Sequence, residues 1–175
     1  PDTLTCSATG YTDADGDPDL STFEWSIGGV VVGTGSTLSG SFIKGDTVQC
    51  TVTPFDGTDT GTPVSGTRTI SNSAPSVASV SISPSGPLAG DTLTCGYSGF
   101  TDADGDSDGS TYEWFVDGVT SGTGSTLSSG FSGGDSVSCT VTPFDGSDSG
   151  TPVSSASLTV GNSAPSIATV SISPD

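Results

Sequence analysis

Apolar and polar residues alternate in short bursts along the chain. Over Thr111–Val116, Tyr112, Trp114 and Val116 fall on one side and Glu113 on the other. Over Ser136–Pro143, Val137, Cys139 and Val141 share a side, and over Thr92–Tyr97 so do Leu93 and Cys95. A period of two is the signature of a half-buried strand. The same pattern predicts strands over Val77–Ile82, from Ser125 through Leu127, and over Pro152–Val160. Asp117-Gly118 is a two-residue hairpin signal, with Val119 beginning the returning strand. Clusters of Gly, Pro, Asp and Ser separate the bursts, and no stretch has helical spacing. The expected class is all-β.

The pattern occurs twice. Asp2-Thr3-Leu4-Thr5-Cys6 recurs as Asp91-Thr92-Leu93-Thr94-Cys95, Trp25 as Trp114, and Cys50 as Cys139, at an offset of 89 residues. Thr12-Asp13-Ala14-Asp15-Gly16-Asp17 and Thr53-Pro54-Phe55-Asp56-Gly57 recur at the same offset. The offset becomes 90 at Asn72 and Asn162, so the last strand of the second copy carries one extra residue. A unit of this size suits a small β-domain rather than a short solenoid repeat. The expected segments are 1–72, 73–162 and 163–175, the last a linker and the first strand of a further repeat.

Composition narrows the chemistry. Only Lys44 and Arg68 oppose 20 acidic residues, for a net charge of −18. Nucleic acid is excluded as a partner, because phosphate binding needs clustered cations. No membrane insertion is expected in this segment. There is no histidine, so the commonest general acid–base residue and metal ligand is missing. Neither a Ser–His nor a Cys–His nucleophile can be assembled, and an enzyme is not expected. An all-carboxylate glycosidase would need a pair flanking a cleft, and nothing in the chain suggests one.

Four cysteines, two per copy at matching positions, predict the disulfides Cys6–Cys50 and Cys95–Cys139. A tetrathiolate zinc site needs close cysteine pairs, and there are none. Disulfides point to an oxidising compartment, and the expected location is extracellular or at a cell surface. The order Cys, Trp, Cys on successive strands is the immunoglobulin signature, an intersheet disulfide packed on a tryptophan. Val48 and Val137 stand where antibody domains keep a corner tyrosine.

With its Asn-Ser-Ala-Pro linkers (Asn72 to Pro75, Asn162 to Pro165) and the two acidic loop motifs, the whole chain resembles the tandem immunoglobulin-like and PKD-like repeats of long bacterial and archaeal surface proteins. The resemblance implies a stalk, adhesin or fibre made of two β-sandwiches. Neighbouring repeats, in the same chain or end to end in a fibre, are the implied partners.

The acidic loops carry the one constellation with chemistry in it. Asp13, Asp15, Asp17 and Asp19 are matched by Asp102, Asp104, Asp106 and Asp108. Carboxylates at alternate positions repel one another, and calcium, a hard cation taking 6–8 oxygens, would offset that. Glu24 and Glu113 fall twelfth from the first Asp, but Pro18 and Ser107 occupy the sixth position, where an EF-hand turns on Gly. The EF-hand is therefore not carried over. Sandwich topology brings Asp56 and Asp59, and Asp145 and Asp148, to the same pole as these loops. The incoming linker with Asn72, and beyond the second copy Asn162, meets that pole too, so an ion there would clamp domain to domain. The competing reading is Asx turns on a solubilising surface. Acidity also accompanies salt adaptation.

Two functional readings follow. One is a structural spacer, which keeps its loops alike in every copy, as here. The other is a calcium-dependent module binding a glycan or protein through the same loops. Ser76–Gly90 leads into the second copy, and Ser166–Pro174 repeats its opening. Either the chain is a window on a longer array, or the trailing segment completes the first domain of another copy by strand exchange.

Overall fold

A computed structural model describes residues 2–173. Pro1 lies outside the described residues, as do Pro174 and Asp175 at the end of the expected third segment. The described residues form strands and no helix, so no helix long and apolar enough to cross a membrane occurs among them. The chain is all-β and divides into two compact units, Pro1–Ser73 and Ala74–Asp175.

The first unit contains β1 (Thr3–Thr5), β2 (Thr22–Ile27), β3 (Val30–Thr34), β4 (Thr37–Ser39), β5 (Thr47–Thr53) and β6 (Val64–Thr69). β1 pairs with β4, and the other sheet runs β3-β2-β5-β6, all antiparallel. Its core is Trp25, Leu38, Val48, Cys50 and Val52, drawn from both sheets. Val48, Cys50 and Val52 alternate along β5, as the period of two requires.

The second unit contains β7 (Ser79–Ser83), β8 (Leu93–Ser98), β9 (Thr111–Val116), β10 (Val119–Thr123), β11 (Thr126–Leu127), β12 (Ser136–Thr142), β13 (Val153–Ser154) and β14 (Leu158–Thr159). One sheet runs β11-β8-β7, and the other runs β10-β9-β12-β13 with β14 also on β12. Between them lie Ile82, Leu93, Trp114, Val137, Cys139, Val141 and Val160. Asp117 and Gly118 both have positive φ, 51° and 79°, the geometry a two-residue hairpin demands. The Asp117 carboxylate takes a hydrogen bond from the Ser136 amide at 2.9 Å, tying the turn to β12.

Both predicted disulfides are present. Cys6–Cys50 and Cys95–Cys139 span Cα distances of 6.4 and 6.2 Å; the second links β8 to β12, and the first links the residue just after β1 to β5. Trp25 pairs across β2 and β5 with Cys50, and Trp114 across β9 and β12 with Cys139. Each indole N–H donates to a glycine carbonyl, Gly35 at 2.9 Å and Gly124 at 3.0 Å, which satisfies the one polar group the ring buries.

The extra residue of the second copy breaks its last strand. In place of one strand over Pro152–Val160, β13 and β14 flank Ser155–Ser157. There the Ser155 amide donates to the Cys139 carbonyl, and the Cys139 amide donates to the Ser155 hydroxyl at 3.1 Å. A side chain thus replaces a ladder bond, as a bulge requires. Residues 163–173 form no strand, and Ile167, Val170 and Ile172 are exposed.

Candidate functional site

The loop from β8 to β9 in the second unit is organised by Asp102. Its Oδ1 accepts the amides of Asp104 and Asp106, both at 2.9 Å. Gly105 turns the chain between them at φ +79°, a conformation L-residues with a Cβ rarely adopt. The loop after β12 repeats the device, with Asp145 Oδ1 accepting the amides of Ser147 and Asp148 at 2.7 Å. The Gly109 amide donates to the Phe144 carbonyl at 2.7 Å and ties one loop to the other.

These bonds bring Asp102, Asp106 and Asp145 together, with one carboxylate oxygen of each within 4.8 Å of the others. Asp145 is buried at 7% exposure. Asp102 Oδ2 is buried with no hydrogen-bond partner. Such an atom is costly to leave unsatisfied, the more so when charged. An all-oxygen, anionic donor set around a buried oxygen suits a hard divalent cation. Asp102, Asp106 and Asp145 would hold it.

The segment leading into β7 passes the roots of both loops. Ser76 and Thr101 exchange both backbone hydrogen bonds at 2.9 Å, and their hydroxyls meet at 2.9 Å. A Cβ on Gly150 would fall 1.8 Å from the Pro75 carbonyl oxygen, so only glycine lets the two backbones pass. Thr101 heads the repeated acidic motif, but nothing local in the sequence marks its pairing with Ser76 or the close approach at Gly150.

Asp108 has a different task. Its Oδ1 accepts from the Ser110 amide and hydroxyl, and its Oδ2 from the Tyr97 hydroxyl at 2.7 Å. Burial pushes its carboxyl upward, but the hydrogen bonds from Ser110 and Tyr97 outweigh this and leave it below the ordinary range. Burial, and then the bond to Asp108, push Tyr97 up to about 12. Asp19 is likewise committed to the Ser21 amide and hydroxyl, which hold its carboxyl low. Asp104 and Asp148 lie outside the three-carboxylate group.

The first unit has the turns without the grouping. Asp13 Oδ1 accepts the amides of Asp15 and Asp17 at 2.8 and 3.0 Å. Asp56 Oδ1 accepts those of Thr58 and Asp59 at 2.6 and 2.7 Å, and its carboxyl lies low for that reason. Burial raises Tyr11, and the fields of Asp13, Asp56, Asp19 and Asp17 raise it further. Even so, Asp13, Asp17 and Asp56 are not drawn into a three-carboxylate group.

Glu113 accepts from the Thr120 hydroxyl across β9 and β10, away from the loops, and Glu24 is exposed on β2. Asn72 Oδ1 takes a hydrogen bond from Lys44 Nζ at 3.2 Å within the first unit. Asn162 follows the last strand and passes Gly133, whose Cβ would lie 3.3 Å from its Cα. Comparison with protein-family models and with curated proteins finds no match to this chain.

Proposed function

We propose that the chain is a pair of tandem immunoglobulin-like sandwich modules of an extracellular fibre, stalk or adhesin, with calcium held at the acidic pole of the second. One observation carries the structural reading. Both units close around the same Cys–Trp–Cys core, and both keep the same loops at one pole. A recognition surface would gain by diversifying those loops, whereas a spacer gains from rigid identical modules. The disulfides suit an oxidising exterior. The buried, unpartnered oxygen of Asp102 supports calcium.

The experiment is a thermal melt in millimolar calcium and in chelator. A ligand at a hundredfold over its dissociation constant adds about 2.7 kcal/mol to the folded state. The expected result is a rise in melting temperature that Asp102→Asn abolishes and Asp13→Asn leaves largely intact. Identical curves in calcium and chelator would reduce both loops to Asx turns. Calcium-dependent retention on a glycan or protein array would favour the recognition module instead.

A further inference from the structure

Beneath the grouped carboxylates of the second unit, three stretches of backbone run against one another. The first is Pro75–Ala78, which leads into β7 and buries Pro75 and Val77. The second is Ser98–Thr101, the root of the loop that carries Asp102. The Ala78 amide donates to the Ser98 carbonyl at 3.0 Å, and Ser76 exchanges both backbone bonds with Thr101. A Cβ on Gly99 would fall 2.7 Å from that of Ala78. The third is Pro143–Gly150, which carries Asp145 and is closed by the Gly150 amide on the Pro143 carbonyl at 2.9 Å. Gly150 in turn lies so near the Pro75 carbonyl that it has no room for a side chain.

Thr101 immediately precedes Asp102, and Gly150 closes the turn that opens at Asp145. Pro75–Ala78 therefore holds the roots of both loops whose carboxylates meet. That meeting is unfavourable by itself. Asp102, Asp106 and Asp145 bring oxygens within 4.8 Å of one another, and Asp102 Oδ2 is buried with no hydrogen-bond partner. Repulsion among them drives the two loops apart, against the contacts at their roots. A bound cation changes the sign of the force, and the same contacts then hold the loops at the spacing the cation needs.

We propose that Pro75–Ala78 is the positioning element of this site, setting the spacing of Asp102 and Asp145 and hence the affinity for calcium. Ser76 and Gly150 are positioning residues that act through the loops rather than on the ion. The inference rests on the calcium reading of this pole and names what governs it. Coupling of this kind is reciprocal. If the Ser76–Thr101 bonds favour the cation, the cation strengthens the Ser76–Thr101 bonds by the same free energy. Calcium then fixes the path by which the chain enters β7, within the second unit alone.

The test combines calcium titration calorimetry with amide hydrogen exchange on the full chain. Calcium should slow exchange at the Ser76 and Thr101 amides of the wild type, and Asp102→Asn should remove that protection. Gly150→Ala, which crowds Pro75, should weaken calcium binding by at least about fivefold, the lower end of ordinary site-to-site coupling. Ser76→Pro, which deletes the donor to Thr101 from outside both loops, should weaken it too. Leu127→Ala is the control for general loosening. It opens the core opposite Leu93, at the far end of β8 from the Asp102 loop, and should leave the affinity unchanged. Wild-type affinity in both Gly150→Ala and Ser76→Pro, or exchange at Ser76 indifferent to bound calcium, overturns the coupling and leaves the site standing. An equal loss in Leu127→Ala also overturns it, since any loosening would then suffice. A wild-type chain that binds no calcium overturns site and coupling together.

Discussion

In the second unit Leu93 is fully buried and Cys95 is exposed by only 2%, whereas their counterparts Leu4 and Cys6 in the first are half-buried. The residues and the disulfide are the same, and so is the pairing of each tryptophan with its cysteine. What differs is the segment Pro75–Ser83. It lays β7 along β8, joins Ser76 to Thr101 and wedges Pro75 against Gly150. One strand therefore seals the core and also pins the roots of both acidic loops. A stapled core and a set of turn-forming aspartates are shared by both copies, and among the described residues the three-carboxylate grouping occurs in the second.

The largest effect separating the units should appear on reduction. Each disulfide spans 44 residues, which the chain-entropy model values at on the order of 4 kcal/mol. Mild reductant under native conditions should open Cys6–Cys50 well before Cys95–Cys139, as read by alkylation and mass spectrometry. Equal rates would mean that the first core is as well covered as the second. A smaller contrast should come from truncating the leucines. Leu93→Ala should cost about 3 kcal/mol in denaturant unfolding, whereas Leu4→Ala should cost about 1 kcal/mol, since less contact is lost where solvent already reaches. Similar costs would remove the distinction.

The smallest effect concerns Tyr97, whose place in the first unit is taken by Ala8. Its folded-state pKa, about 12, is raised above the ordinary value of 10.0. The folded state therefore holds the proton more tightly than the unfolded one. The stability this contributes is complete below pH 10 and is lost as pH rises toward 12. Phenolate absorbance should show a component titrating toward pH 12 that Tyr97→Phe removes, and the variant should lose less stability over that interval.

Much of this was legible in the residues. Period-two alternation around Cys50 and Cys139 marks the central strands, because burial on one face of a strand leaves no other spacing. The cysteine positions suffice for the pairing. Other features depend on partners distant in sequence. The shift in offset reveals the insertion near Ser155, but nothing local says that its hydroxyl will take over a ladder bond. Asp108 looks like the fourth member of an acidic run until Tyr97, on another strand, claims it. The loops of the two copies read alike from Asp13 to Asp17 and from Asp102 to Asp106. In the second copy the roots of both loops meet a segment that belongs to neither, Ser76 on Thr101 and Pro75 against Gly150.

The two cations have a consequence for how such a chain is cut. A protease that cleaves only after lysine or arginine finds two bonds here, after Lys44 and after Arg68, and both lie in the first unit. Arg68 sits within β6, paired with Val48 across the sheet, and Lys44 is half-buried with its ammonium on Asn72. Neither can adopt the extended, detached conformation a protease cleft requires unless the first unit opens. Everything from Thr69 onward then leaves as a single piece, however completely it is unfolded. The second unit is indigestible to such an enzyme by composition, and the first by conformation.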